Sequence, residues 1–403
     1  MMKTNNLIYI IVLLSSIILS ACSKMDEYKQ YVEGGEIVYP TKIDSLQILS
    51  GKNQVMVHGV VSVNRGMTNY RIFWNNRQDS IVVPVELTEN IDTLTYVIEN
   101  LPEGTINFEV RSYDDKGNSS VPTYLVGNVY GDRFREGLFQ RAILNSAFNK
   151  EGEFNITLQD VSKDMGFYGI RLEYKNIDDR QVDTVIVTPN INATAVLKDY
   201  VMGSTIDYTT VYRPEPNSID TFVYNKHEAV RVIGDVSEVY LKNYKKPFYP
   251  SDYDGNRWGT LLDWETNAAA KNHWAGDILV GGYASDNGGS AKFEAGWGAA
   301  DIINGKIHQT ILLPKGKYRF STRVTEDAWG GDVPGYLIAN EGNQLSDYDY
   351  IDSDTRLGSV KMTGGDVSFE FEVMETSAVS LGYVVNMTAE KWLTMEYFKL
   401  EIL

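Results

Sequence analysis

"ENLPEGTINFEVRSYDDKGNSS", residues 99–120, decides how the first part of the chain is read. Gly104 supplies a turn, and Ile106, Phe108 and Val110 then alternate with polar neighbours. That period of two places three apolar side chains on one face of a strand, with Asp, Gly and Asn at the break that follows. Working outward, "NQVMVHGVV" (53–61), "NYRIFWN" (69–75) and "DSIVVPVEL" (79–87) carry the same alternation between turn formers. Short antiparallel strands at regular spacing predict a β-sandwich. Trp74, at the end of one of them, reads as a core tryptophan covering the space between the sheets.

The pattern recurs further along the chain. "DSIVVP" (79–84) returns as "DTVIVTP" (183–189), "YRIFW" (70–74) as "IRLEY" (170–174), and "TINF" (105–108) as "TIDY" (205–208). Offsets of about 100 residues match the size of one immunoglobulin-like sandwich, so two tandem copies of one fold are expected. Between them, "VYGDRFREGLFQRAIL" (129–144) has some helical periodicity, and its Arg133, Arg135 and Arg141 read as salt-bridging or solvated. "LPEGTINFEV" (101–110) resembles the corner and following strand of fibronectin type III domains, which read L-P-x-G-x-Y-x-F or similar. Ile106 stands where the corner tyrosine usually does, so its hydrogen bond is not expected.

Beyond about Glu238 the composition changes: Trp258, Trp264, Trp274, Trp297, Trp329 and Trp392 all fall there, six of the seven tryptophans. Strand-like stretches continue in "KIHQTILL" (306–313), "KYRFSTRV" (317–324), "VSFEFEV" (367–373), "VSLGYVV" (379–385) and "LTMEYFKLEI" (393–402). Long loops rich in Gly, Asp and aromatics separate them, which predicts a jelly-roll sandwich with its function in the loops. Trp392, just before the last strand, reads as core, while the residues alone do not decide Trp258 and Trp264.

The amino terminus, "MMKTNNLIYIIVLLSSIILSACSKMDE", sets one charge, Lys3, before an apolar stretch from Leu7 to Leu19 that is short for a membrane span. "LSAC" resembles a bacterial lipobox, whose cysteine is acylated and becomes the first residue of the mature protein. Cys22 is the only cysteine in the chain, so with Cys22 acylated no thiol remains for a disulfide, a metal site or a nucleophile. Asp26 and Glu27 resemble a surface-export signal of Bacteroidetes lipoproteins, with Lys24 and Met25 intervening. The expectation is a protein at the outer membrane, anchored by lipid alone and exposed on the cell surface. A formal net charge of −17 argues against nucleic acid and against a polybasic membrane grip.

The expected organisation is a signal peptide (1–21), a tether (22–40), two fibronectin-like domains (41–130 and 131–237) and a jelly-roll domain (238–403). As a whole the chain resembles a Bacteroidetes surface-lipoprotein family of tandem fibronectin-like domains with a carboxy-terminal galactose-binding-like domain. "YRIFWNNRQDS" (70–80) and "LPEGTINFEVRSYDDKGNSSVP" (101–122) carry the first part of that resemblance; "IINGKIHQTILLPKGKYRF" (302–320) and "EYFKL" (396–400) carry the second. It implies a non-catalytic accessory protein of a polysaccharide-capture system, with other outer-membrane uptake proteins as partners.

The chemistry concentrates in "KNHWAGDILVGGYASDNGGSAKFEAGWG", residues 271–298. A P-loop would need Lys-Ser or Lys-Thr after its second glycine, and "GGYASDNGGS" has neither. In "GWGAAD" the dinucleotide fingerprint has Asp301 where it needs a third glycine. His58, His227, His273 and His308 are too scattered for zinc. No cofactor is called for; a structural calcium, which needs only oxygens, would find Asp252, Asp254 and Asn256 in "SDYDGN", although a solvated acidic turn accounts for them more simply. Carboxylates are abundant, but no motif singles out a catalytic pair and no G-x-S-x-G elbow occurs. Sugar binding fits: pyranose C–H faces stack on Trp and Tyr while hydroxyls need Asp and Asn. Trp274, Tyr283, Asp286, Asn287, Trp297 and, in "EDAWGGD" (326–332), Trp329 are the expected ligand contacts. Two alternatives stay open, an adhesive protein that binds a protein partner and a weak carbohydrate-active enzyme.

Overall fold

A computed structural model describes residues 38–61, 66–85, 91–327, 334–388 and 390–403. They fall into two compact units, one running through Phe134 and taking in Asn217–Asp220, the other comprising Arg135–Pro216 and Thr221–Leu403.

The first unit holds a sandwich of a three-stranded and a four-stranded antiparallel sheet. Asp44–Ser50, Val55–Val61 and Asp92–Ile98 form the first; Asp79–Pro84, Met67–Trp74, Gly104–Asp114 and Thr123–Val129, in that order, form the second. Strict alternation in Val55–Val61 sends Val55, Val57 and Val61 inward, where they meet Tyr70, Ile72, Phe108 and Val110. Ile106 and Trp74 pack only partly against this core. Trp74 therefore caps the edge of the intersheet space at a strand end, pairing with Asp79, and does not fill its middle.

In the second unit the same arrangement returns. Ile143–Phe148, Phe154–Leu158 and Thr194–Leu197 form a three-stranded sheet; Gln181–Val187, Phe167–Lys175 and Thr205–Tyr212 form the heart of its partner, extended by Phe222–Val223 and Glu228–Arg231. The three repeats in the sequence occupy equivalent strands. Ile72 and Leu172 are both fully buried, as are Phe108 and Tyr208 at nearly the same depth. Arg141 corrects the reading of a salt-bridged or solvated connector. It is 2 % exposed and donates to the carbonyls of Gln159 (2.7 Å), Pro189 (3.0 Å) and Asn190 (3.0 Å) and to Thr188 Oγ1 (3.2 Å). Burial lowers its pKa, and the ring of Phe167 lies 5.7 Å from the guanidinium carbon.

The remaining strands of this unit form a larger sandwich. One sheet of eight strands runs Pro250–Tyr253, Trp258–Leu261, Gly282–Ala284, Ser290–Ala295, Lys391–Ile402, Gly316–Asp327 and Gly365–Val373, with Gly234–Asp235 also on Lys391–Ile402. The facing sheet runs Glu265–Thr266, Ile302–Leu313, Ser377–Met387, Gly335–Glu341 and Arg356–Lys361. Every pairing is antiparallel, as in a jelly roll. The core between the sheets holds Phe293, Phe320, Tyr383, Phe398 and Trp264, whose Nε1 donates to Asn243 O at 3.0 Å. Tyr318, fully buried after the turn at "LPKG", donates its hydroxyl to Pro314 O at 2.9 Å and pins that corner.

Candidate functional site

The strand Ser290–Ala295 builds the site. Alternation turns Ala291, Phe293 and Ala295 into the core, so Lys292 and Glu294 stand on the opposite face of the sheet. Pairing with Lys391–Ile402 sets Glu294 opposite Trp392 and Lys292 opposite Thr394. The strand leaves the sheet through a two-residue turn in which Gly296 and Ala299 exchange both backbone hydrogen bonds (3.2 and 2.9 Å). Both central residues have positive φ, 48° at Trp297 and 98° at Gly298, as a primed hairpin turn requires. Glycine takes that conformation freely, whereas a tryptophan held there is strained. Trp297 is 54 % exposed, with its ring 5.7 Å from the half-buried ring of Trp392 at an interplanar angle of 52°. Together with Arg257, Lys292 and Glu294 the two rings line an open cleft of about 650 Å³, within the usual span of about 300–1,000 Å³ for ligand sites.

The three charged residues of its wall are joined to Asp286 behind them in a network of two cations and two anions. Arg257 donates through Nε to Asp286 Oδ1 (3.0 Å), through Nη2 to Asp286 Oδ2 (2.8 Å) and Glu294 Oε2 (2.7 Å), and through Nη1 to Glu294 Oε1 (3.1 Å). Lys292 Nζ lies 2.7 Å from Asp286 Oδ2 and 3.8 Å from Glu294 Oε2. The Arg257 guanidinium, aided by Lys292, holds the Asp286 carboxyl down at about 2. The two carboxylates in turn raise the pKa of Arg257, so its charge is permanent.

Arg257 is steadied from below by the ring of Trp258, 4.4 Å from its guanidinium carbon. Trp258 is itself stacked on His273 at 3.6 Å and 4°. His273 opens a small hairpin of His273–Ala275 and Ile278–Val280, whose base Asn272 ties down by donating to Glu294 O (2.7 Å) and Ala300 O (2.8 Å). Burial pushes the imidazole down to about 4, so it is neutral at physiological pH.

The expected contacts divide sharply. Trp297 lines the cleft. Trp274 is 64 % exposed, but it sits on the hairpin opposite Leu279 and is not part of the cleft wall. Tyr283 is a correction: it is 8 % exposed, in the core cluster and edge-on to Tyr253 at 5.9 Å, so it offers no face to a ligand. The glycines beside it serve the protein's own backbone, since a Cβ at Gly281 would lie 1.9 Å from Ala270 O. Asp286 is bound into the ion network, and Asn287 is exposed on the turn beside it with φ 52°. Trp329 and Cys22 lie outside the described residues. Asp254, read as a calcium ligand, accepts from the amides of Asn256 and Arg257 (2.7 Å each) and so closes a turn, while Asp252 is exposed on the preceding strand. Among the described residues no group of three or more His, Cys, Asp or Glu is arranged for a metal.

Arg257, Lys292, Glu294 and Trp392 were missed. The signal for the middle two lies in "SAKFEA", where charged residues alternate with Ala, Phe and Ala inside a strand and run into Trp-Gly. Trp392, read as core, is displaced from it by the same alternation, which gives the inward positions to Leu393 and Met395.

Residues 22–222 match the family model of DUF4998, a domain of unknown function, and residues 242–382 match that of DUF5013, also a domain of unknown function. No curated protein matches the sequence. Among solved structures, the FN1–FN3 domains of chicken CNTN1 are similar at 12 % identity and a TM-score of 0.30, over 49 % of this chain and 69 % of that one. The K3 cleaved adhesin domain of Lys-gingipain from Porphyromonas gingivalis is similar at 9 % and 0.26, over 40 % and 98 %. TmCBM61, solved in complex with β-1,4-galactotriose, is similar at 14 % and 0.23, over 40 % and 97 %.

Proposed function

We propose that this chain is a lipid-anchored surface protein that captures polysaccharide, without cleaving it, in the cleft between Trp297 and Trp392, for a neighbouring uptake system. One observation carries the reading: two tryptophan faces, one of them kept exposed in a strained turn, stand beside a fixed row of hydrogen-bonding charges. Rings bind the apolar faces of a sugar, and the Arg257 and Glu294 side chains meet its hydroxyls. The anchor rests on "LSAC" at 19–22.

Affinity electrophoresis of the full chain through gels cast with plant, host and microbial polysaccharides tests capture. One glycan should retard it, and Trp297→Ala or Trp392→Ala should each weaken binding about tenfold, the loss of one stacking contact of about 1.4 kcal/mol. Cys22→Ala should move the protein from the membrane to the soluble fraction.

A second reading has its own support. The hairpin exposes Trp274 and Leu279 opposite each other on one face, an apolar patch suited to a protein partner. Capture of a protein that depends on Trp274 while no glycan binds would favour it.

A further inference from the structure

We infer that the ligand of the Trp297–Trp392 cleft is an uncharged glycan, and that the site discriminates against uronic acid and sulfated polymers. The inference rests on the capture reading above and concerns the charge of what is captured.

The cleft looks basic by composition, with Arg257 and Lys292 in its wall. Its electrostatics are the reverse of an anion site. Two positive charges are matched by Asp286 and Glu294, so the four groups sum to zero. Four of the five guanidinium N–H donors are already engaged by carboxylate oxygens. An anion-binding arginine keeps its fork free for the bidentate pair it makes with a carboxylate or sulfate. Here an incoming anion would have to displace Asp286 or Glu294, leaving a carboxylate without its partner. The Glu294 side chain is 12 % exposed and that of Asp286 26 %, so neither could be rehydrated without loss. A ligand that keeps the quartet intact would bring its own negative charge beside Glu294. The formal charge of −17 on the whole chain adds a repulsive field at longer range.

Neutral hydroxyls meet none of these penalties. Each carboxylate has about four acceptor positions, and the quartet uses only some of them, so sugar O–H groups can donate to Glu294 Oε1 and Oε2. The remaining Nη1 N–H of Arg257 can donate to a sugar oxygen. Both interactions leave every ion pair in place.

The experiment runs the full chain through gels containing neutral polymers (galactan, xylan, mannan, β-glucan) and anionic ones (polygalacturonate, alginate, chondroitin sulfate), at 50 and 500 mM NaCl. Retardation by a neutral polymer, changed less than twofold by salt, with none by the anionic set, is the expected result. Asp286→Asn makes the quartet net positive; it should admit an anionic polymer, in a salt-sensitive manner, at least tenfold better than the unaltered chain does. Trp297→Ala should weaken retardation about tenfold in both backgrounds, tying it to this cleft. An unaltered chain that binds polyuronate or a sulfated glycan through Trp297, and binds it more weakly in salt, would overturn the inference while leaving capture standing. Binding of no polymer at all would overturn capture itself and this inference with it. If Asp286→Asn does not fold, Glu294→Gln produces the same net charge from the other carboxylate.

Discussion

Asp286 should be worth about 2 kcal/mol to the large sandwich, and that contribution should fade in acid. Its carboxyl titrates at about 2 in the folded chain against 3.8 ordinarily, mainly because Arg257 donates to it. At about 1.4 kcal/mol per unit, the difference of about 1.8 units corresponds to about 2.4 kcal/mol. With 26 % of the side chain exposed, little of this is lost to solvent screening. The sign follows from the direction of the shift. The folded pKa is depressed, so the stabilisation is complete above about pH 4 and is lost as pH falls through 2. Asp286→Asn removes it at neutral pH but has nothing left to remove in strong acid. The linkage expression gives about 2.4 kcal/mol at pH 6 and about 1.3 at pH 3, so the gap between the two proteins should narrow by about 1 kcal/mol.

Urea titrations of both proteins at pH 6, 4 and 3, followed by tryptophan fluorescence, measure this directly. Six of the seven tryptophans lie beyond Glu238, so the signal reports the large sandwich. Taking the difference between the two proteins cancels every other carboxylate in the chain. A gap that stays constant or widens on acidification would refute the claim that Arg257 and Lys292 hold Asp286 ionised. A gap near zero at pH 6 would show that solvent screens the network completely.

Arg141→Met should destabilise the second sandwich by about 3 kcal/mol, because it strands three carbonyls that the buried guanidinium satisfies; an unfolding midpoint that does not move would count against that role. At position 297, Asn should be more stable than Ala by about 1 kcal/mol, since both lose the ring but only Asn tolerates the left-handed turn. Thermal melts of the two variants decide it, and both should bind glycan about tenfold more weakly than the unaltered chain. His273 should stay neutral down to about pH 4, contributing stability above pH 6.5 that is lost as pH falls from there; a proton NMR titration showing charging near pH 6.5 would contradict its burial against Trp258. EDTA should leave the melting temperature unchanged, because the Asp254 carboxylate is engaged by its own turn.

The sandwiches were legible because alternation and repetition are local properties. "TINF" and "TIDY" lie on equivalent strands, and the period of two in "NQVMVHGVV" is the burial pattern of that strand. The same rule failed at Tyr283 for a physical reason. "GGYASDNGG" reads as loop because glycine weakens a strand. Here Gly281 and Gly289 admit neighbouring backbone at distances no side chain permits, Ala270 O at the first and Phe248 O at the second. Loop-like composition was close strand packing, and the aromatic between the glycines points into the core.

The cleft was harder to read because no single stretch contains it. Arg257 comes from the bend just before one strand, Asp286 from a turn, Lys292 and Glu294 from a second strand, and Trp392 from a third almost 100 residues later. Only the register of Ser290–Ala295 against Lys391–Ile402 brings Glu294 and Trp392 together. A slip of one residue would reverse the faces of that strand, burying Lys292 and Glu294 between the sheets and exposing Phe293. The register is held by what the core demands, because Ala291, Phe293 and Ala295 fit inward beside Leu393 and Met395 while two charges could not. The binding face is thus specified by the apolar residues behind it. For that reason a substitution such as Phe293→Ser, which touches no ligand, should damage the cleft as surely as one in Trp297.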